Sequence, residues 1–430
     1  MQALQRIEID KLRIGMHVHL DLGWMAHPFP LGNFKITSDE QIRVIGTLGI
    51  DTVRYHPARS DSLPGEERVL DADEVAAALA RSDEPQLSAE EIVHRDALAA
   101  QKEALALCES QFAEAADACE RTSQLVKPQP HTAGEQAKAL AGALVDKMLH
   151  GPEMCIRLLT GNSGDKAFAH AMNVGVLSLL LARTFGLPRS EMLDVGVGAL
   201  MHDIGKIDIA ESIRHRDPSF SPQETLAYED HVAHGVAHAR RMGLSVGSLL
   251  VIAQHHEHAD GTGFPMRLTS EKITAASRIV AMVNRYDNLC NPQRGTKALT
   301  PHEALSTMFA QAQAKFDTSM LGAFIKMMGV YPPGSTVQLT DDRHALVMSV
   351  NAARPLKPCV LVHDPKVPRD RALIVDLESV PKLGIRRSLK PAQLPTAAFE
   401  YLSPKPRVVY YFEAANEMMA APVERQSANA

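Results

Sequence analysis

The sequence predicts a mainly α fold: a helix bundle, preceded by a small α/β unit and followed by a small β-rich appendage. Three observations carry this reading. Apolar residues recur with helical spacing through most of residues 165–330. Ala, Leu and Met abound while aromatics are only 5% of the chain. After Tyr331-Pro332-Pro333-Gly334 the apolar period changes to two.

In chain order, residues 1–60 form the α/β unit. Ile7, Ile9, Val18 and Leu20 suggest short strands, and Thr37-Ser38-Asp39-Glu40 is a helix start with capping side chains. That helix ends near Gly49, and 51–55 returns as a strand centred on Val53. Residues 61–87, rich in Pro, Gly, Ser and charge, read as a linker. Residues 88–160 read as a helical connector capped by Ser88, with Leu98, Leu105, Phe112, Cys119 and Val126 spaced by sevens. This stripe fits either a coiled coil or packing on its own domain, so this helix or the amino-terminal unit is expected to make a homodimer. Lys127-Pro128-Gln129-Pro130 ends it, and a second helical run covers 134–150.

Residues 161–330 hold the bundle, with helical pieces near 166–185, 190–203, 222–242, 245–258, 271–290 and 301–328. In such bundles metal sites are built from side chains on facing helices. Residues 331–415 are the β-rich region: 336–340 and 345–350 form a hairpin, with further strands near 360–362, 372–376 and 408–412. Residues 416–430 are polar, without period, and expected to be disordered.

Composition limits the function classes. A chain of 430 residues with 45% apolar and 22% charged residues has length for two or three domains. A net charge of −6 gives no basic signature for extended nucleic acid. The five cysteines are scattered and never form a CxxC pair, which argues for a reducing compartment and against a zinc ribbon. There is no signal-peptide run and no stretch near the roughly 18 apolar residues of a membrane span, so a cytoplasmic protein is expected.

The chemistry is concentrated in histidines and carboxylates. His255-His256-Glu257-His258-Ala259-Asp260-Gly261-Thr262-Gly263-Phe264-Pro265 packs three imidazoles and two carboxylates ahead of a Gly/Pro loop that lets a ligand approach the backbone. His202-Asp203 sits at the end of an apolar helix, with Lys206 one turn on: a metal ligand, a bridging carboxylate and a cation for phosphate. With 19 histidines, about one His-Asp pair is expected by chance, so its setting carries the weight. His170 lies on an apolar helix, where a lone histidine is more often structural. His234 and His238 share a helix face, while His255 and His256 point to different faces.

The ordered series His170, His202-Asp203, His231, His255-His256 is more specific than any member. It resembles the HD-GYP family, the HD-superfamily branch that hydrolyses the bacterial second messenger cyclic di-GMP. The HDIGK motif stands unchanged as His202-Asp203-Ile204-Gly205-Lys206. HHExxDGxGYP stands as His255 to Pro265 with Phe264 for Tyr, and HPxxG as His231-Val232-Ala233-His234-Gly235. Leu12-Arg13-Ile14-Gly15-Met16 and Trp24 look like the small domain that often precedes HD-GYP domains.

The resemblance implies a bundle holding two or three divalent metals, commonly iron or manganese, and Lys166 makes two the expected number. Its ligands would be His170, His202, Asp203, His231, His255, His256 and Asn284, with Asp203 bridging. Water would attack phosphorus in line, Asp203 and Lys206 would be catalytic, and Lys206 would hold a phosphate oxygen. Asp260, Gly261, Gly263, Phe264, Pro265 and Arg294 would bind substrate, and the loop would also meet GGDEF-domain proteins. Three departures stand out: Asn284 for an Asp, Lys166 where three-metal members carry Glu, and Gln293-Arg294-Gly295-Thr296-Lys297 for the RPYK segment. They leave a second reading open, a degenerate domain that binds cyclic di-GMP or partner proteins without hydrolysis.

Overall fold

The apolar alternation of the first 60 residues becomes a four-stranded antiparallel sheet. Its strands are β1 (Gln5–Glu8), β2 (His17–His19), β3 (Asn33–Lys35) and β4 (Thr52–Tyr55), in the order β1-β4-β2-β3. Helix α1 (Asp39–Gly46) starts where the Ser38 hydroxyl accepts from the Gln41 amide. Ile7, Met16, Val18, Ile36, Ile45 and Val53 bury together as the core of this unit. Gly15 has φ +95°, so the turn of the Leu12-to-Met16 motif favours glycine there.

The computed structural model describes residues 4–23, 26–27, 29, 32–61, 88–150, 154–161, 166–293, 297–351 and 353–414. Trp24, Arg294, nearly all of the expected linker and the expected disordered tail lie outside them. The chain divides into two units, Met1–Asp96 and Ala97–Ala430.

The second unit opens with α2 (Ala89–Leu125), which begins just inside the first, and α3 (Pro130–His150). From Phe112 on, the stripe spaced by sevens is buried within the chain at Phe112, Cys119 and Val126, with Cys108 and Ala115 buried beside it. The bundle follows as α4 (Lys166–Thr184), α5 (Arg189–Met201), α6 (Pro222–Glu229), α7 (His231–Arg241), α8 (Val246–Gln254), α9 (Ala275–Cys290), α10 (Pro301–Lys315) and α11 (Thr318–Met328). Two runs expected to be single helices are broken. Ser221 and Glu224 make a capping box on α6, and the chain turns at Asp230 before α7. Asp317 caps α11 by accepting from the Ser319 and Met320 amides, which separates it from α10. The segment Ala167–Thr184 is long and apolar enough to cross a membrane, but 78% of it is buried inside the unit, as in a core helix.

The expected β-rich region is present after residue 331, and its sheet takes in one earlier strand. Its strands β6 (Thr336–Leu339), β7 (His344–Asn351), β8 (Cys359–Val362), β9 (Ile374–Asp376), β10 (Ile385–Leu389) and β11 (Tyr410–Ala414) close on β5 (Met154–Leu158) in one seven-stranded sheet. β5, from the stretch read as a connector, lies between β7 and β11, with Arg157 opposite both Ser349 and Tyr411. A short helix, α12 (Thr396–Leu402), precedes β11. The sheet is tied to the bundle core by a direct bond: Asn173 on α4 accepts from the Tyr410 amide (2.9 Å) and donates to the Val408 carbonyl (3.0 Å).

Lys147 on α3 is fully buried, and desolvation lowers its ammonium to about 7. The unfolded chain therefore binds more protons than the folded chain between about pH 7 and 10.5, so this residue makes stability rise with pH across that window. Lys147→Met is expected to stabilise the protein by several kcal/mol, on the order of 4, at pH 7 and by progressively less toward pH 10. Parallel thermal melts of the two proteins across that range check it. An advantage that does not shrink with pH would contradict it.

Candidate metal centre

Helix ends deliver the site. His170 projects from the first turns of α4; His202 and Asp203 follow the last turn of α5 and lead into a 3-10 turn, Ile204–Asp208, that carries Lys206. His231 begins α7, and His255-His256 follow α8. Glycine makes this convergence physically available. A methyl group on Gly205 would collide with the His231 carbonyl oxygen and the Gly235 amide, so two backbones meet there with no side chain between them. That contact brings Asp203 up to His231, and it explains why both motifs contain glycine.

Four of the five imidazoles, those of His170, His202, His231 and His255, are oriented through their outer nitrogen. Nδ1 of His202 lies 2.7 Å from the Ala199 carbonyl, Nδ1 of His231 2.6 Å from Tyr228, and Nδ1 of His255 2.8 Å from Ile252. A carbonyl only accepts, so the proton resides on Nδ1 and the Nε2 lone pair faces inward. His170 is fixed in the same sense by the Asp287 carboxylate, at 2.6 Å from Nδ1. Asp287 in turn accepts from Asn173 (2.7 Å) and Asn291 (2.8 Å).

The inward nitrogens form two groups around the two oxygens of Asp203. Oδ2 faces Nε2 of His202 (3.5 Å) and His170 (3.8 Å), which are themselves 3.2 Å apart. Oδ1 faces Nε2 of His231 (3.6 Å) and His255 (3.7 Å), 3.4 Å from each other, and His256 completes that group. Two imidazole lone pairs at these separations repel unless a cation lies between them. Ligands about 2.1 Å from a shared ion span about this distance. Asp203 Oδ1 and His256 Nε2 are buried and make no hydrogen bond within the protein. The donor set thus fits divalent metal: each group offers enough inward donors to hold an ion, and Asp203 belongs to both.

Electrostatics keeps the set in ligating form. Burial lowers His202 and His256 well below the usual imidazole range and His231 to about 3, so these rings stay neutral. Burial alone would raise the Asp203 carboxyl. Lys206 and the neighbouring imidazoles outweigh it and hold the group well below its ordinary value. Lys206 Nζ lies 2.6 Å from Asp203 Oδ2 and 5.5 Å from the centre of the Tyr228 ring.

The Gly/Pro loop is anchored from beneath. Glu257, 2% exposed, accepts from the backbone amides of Met266 (2.7 Å) and Leu268 (2.8 Å). Phe264 stacks on His256 with ring centres 4.4 Å apart, and the Arg216 guanidinium stands 6.0 Å from the other centre of that stack, the Phe264 ring. Asp260 accepts from the Thr262 amide and hydroxyl, and Gly261 has φ +74°. A methyl group on Gly263 would meet the backbone of His256 to His258. Pro265 follows Phe264 through a cis peptide. Burial lowers His258, and the charges of Lys315, Arg285 and Arg216 act on it in the same direction.

The structure therefore brings together His170, His202, Asp203, Lys206, His231, His255 and His256. Asn284, read as a further ligand, is buried on α9, and its amide oxygen accepts from Asn288 Nδ2 (2.6 Å). His238 is directed elsewhere, to Asp208 (2.6 Å), which also pairs with Lys127. Sequence reasoning gave no orienting role to Asp287, Asn173 or Glu257 and did not single out Arg216. Asp287 was legible as one turn beyond Asn284, but its value lies in the His170 bond, which spacing alone does not reveal. Asp287→Asn is expected to weaken metal binding about 10–100-fold, because His170 loses the acceptor that fixes its tautomer. Equilibrium dialysis against divalent metal checks this, and unchanged affinity would contradict it.

Two family models match the chain: a domain of unknown function (DUF3391) over residues 4–137 and an HD domain over residues 153–320. The first extends well past the residue-60 boundary expected for the amino-terminal unit. The chain is 28% identical over 369 residues to the cyclic di-GMP phosphodiesterase PA4108 of Pseudomonas aeruginosa, covering 84% of this chain and 85% of that protein. It is 25% identical over 191 residues to the cyclic di-GMP phosphodiesterase PdeB of Borreliella burgdorferi, covering 44% of this chain and 50% of that one. The solved structure of Bd1817, a HDG"Y"P protein from Bdellovibrio bacteriovorus, aligns with 75% of this chain and 98% of its own at 15% identity and a TM-score of 0.41. The chain thus carries a DUF3391 domain over residues 4–137 and an HD domain over residues 153–320, and its unchanged HDIGK motif and histidine series are similar to those of HD-GYP proteins.

Proposed function

We propose that this chain is a metal-dependent phosphodiesterase that hydrolyses cyclic di-GMP, opening it to pGpG and, after a second cut, GMP. The observation that carries the reading is the division of Asp203, one oxygen toward each pair of inward imidazole nitrogens. His170 and His202 would hold one ion and His231, His255 and His256 the other, with Asn284 the candidate for a further neutral oxygen ligand. Imidazole and carboxylate donors without thiolate suit iron or manganese. Ions held there would supply Lewis acidity toward phosphate oxygens and lower the pKa of water. Lys206, fixed on Asp203, presents a cation beside that centre for a phosphate oxygen. The loop Gly261, Gly263, Phe264 and Pro265, held by Glu257, forms the groove wall, with Asp260 at its start. Relatives named as cyclic di-GMP phosphodiesterases support the choice of substrate. GGDEF-domain proteins and a second copy of the chain are the partners that accompany this reading, in the cytoplasm.

The test is turnover. Protein shown to carry bound iron or manganese under reducing conditions is incubated with cyclic di-GMP and with other cyclic dinucleotides, and the products are separated by chromatography. Conversion of cyclic di-GMP to pGpG or GMP, lost in His202→Ala, is expected. Metal-loaded protein that cuts no cyclic dinucleotide would overturn the proposal.

A further inference from the structure

A cyclic dinucleotide carries two phosphodiesters on opposite sides of one macrocycle. Only one can lie at the Asp203 centre, so the other needs a separate cation. Lys206 is committed to the first by its bond to Asp203. Three further cations come from three separate segments, and the charges of all three act on His258 at the start of the same loop. Arg216 stands over Phe264, whose ring stacks on the ligand candidate His256. Lys315 ends α10, and its carbonyl accepts from the Ala259 amide (3.0 Å), while the neighbouring Phe316 ring lies 6.3 Å from His258. Arg285 lies on α9 beside Asn284 and feels the charge of Arg216. Neither Arg216 nor Arg285 pairs with a carboxylate among the described residues, and both are exposed. Asp260, the carboxylate that acts on Lys315 and His258, is engaged by Thr262 within its own turn.

We infer that Arg216, Arg285 and Lys315 form a second anion subsite, which holds the phosphate of a cyclic dinucleotide that is not being cut. The inference rests on the proposed phosphodiesterase reading and names residues that reading does not use. Two guanidiniums offer forked donors to phosphate oxygens, and the ammonium adds a point charge. Cations that otherwise repel one another gain most from a shared anion.

The experiment is calorimetric titration of the metal-loaded full chain with a hydrolysis-resistant phosphorothioate analogue of cyclic di-GMP and, separately, with GMP, which carries one phosphate. Arg216→Ala and Arg285→Ala are each expected to weaken the cyclic analogue about ten- to a hundredfold and GMP far less. Arg216→Lys, which keeps the charge without the fork, should fall between. Metal content by mass spectrometry should match wild type in all three. Wild-type binding of the analogue with no loss in either alanine variant would overturn the subsite and leave the functional reading standing. Equal losses for GMP and the analogue would assign these cations to the first phosphate and overturn the distal placement. A metal-loaded wild type that binds no cyclic analogue would overturn the functional reading itself, and the subsite with it.

Discussion

Asp203→Asn should lose both metals. The substitution keeps the shape of the side chain but removes the negative charge and turns an amide NH2 toward imidazole nitrogens 3.5–3.8 Å away on one side or 3.6–3.7 Å away on the other. Loss of an outer-shell partner typically costs about 10–100-fold in metal affinity, so loss of a ligand shared by both groups should cost more. Turnover should fall at least in proportion. Lys206 would also lose its carboxylate partner, so circular dichroism should first establish that the variant is folded. A folded Asp203→Asn that retains wild-type metal content and turnover would remove the basis of the two-group description.

Gly205→Ala should be nearly as damaging, for a reason of packing rather than charge. Its Cβ has no space because the His231 carbonyl and the Gly235 amide occupy it, and backbone cannot move aside as a flexible side chain can. Separating the 3-10 turn from α7 should cost about 3 kcal/mol or more and pull Asp203 away from His231 and His255. The expected result is a lowered melting temperature together with weakened metal binding. Gly322→Ala on α11, where nothing lies within 4 Å of the added methyl, serves as the neutral control. Equal melting temperatures for Gly205→Ala and the control would contradict the close backbone contact.

How much of this was legible in the sequence differs by element. The bundle was legible because its helices carry long periodic faces, and the histidine series because five imidazoles occur in order at or near helix ends. β5 was not. Met154–Leu158 is buried at every position, so it shows no alternation, and the partners that make it a strand lie roughly 200 and 250 residues further along the chain. β10 was hidden by Arg386 and Arg387, which are exposed on a strand that pairs with β6. In the site, sequence reasoning concentrated on Asn284 because a carboxylate was expected there. The contact that orients His170 comes instead from Asp287, one turn on. Arg216 shows the same limit from outside the centre. It lies in an irregular stretch without period, and only the fold sets it over Phe264.

The most direct test of the central claim, that each oxygen of Asp203 serves its own ion, is the metal count. Wild-type protein purified under reducing conditions, loaded with iron or manganese and freed of excess by desalting, should carry two ions per chain by mass spectrometry. His231→Ala and His170→Ala should each remove predominantly one. A wild-type chain that saturates at a single ion, or single-histidine variants that both retain two, would contradict the account.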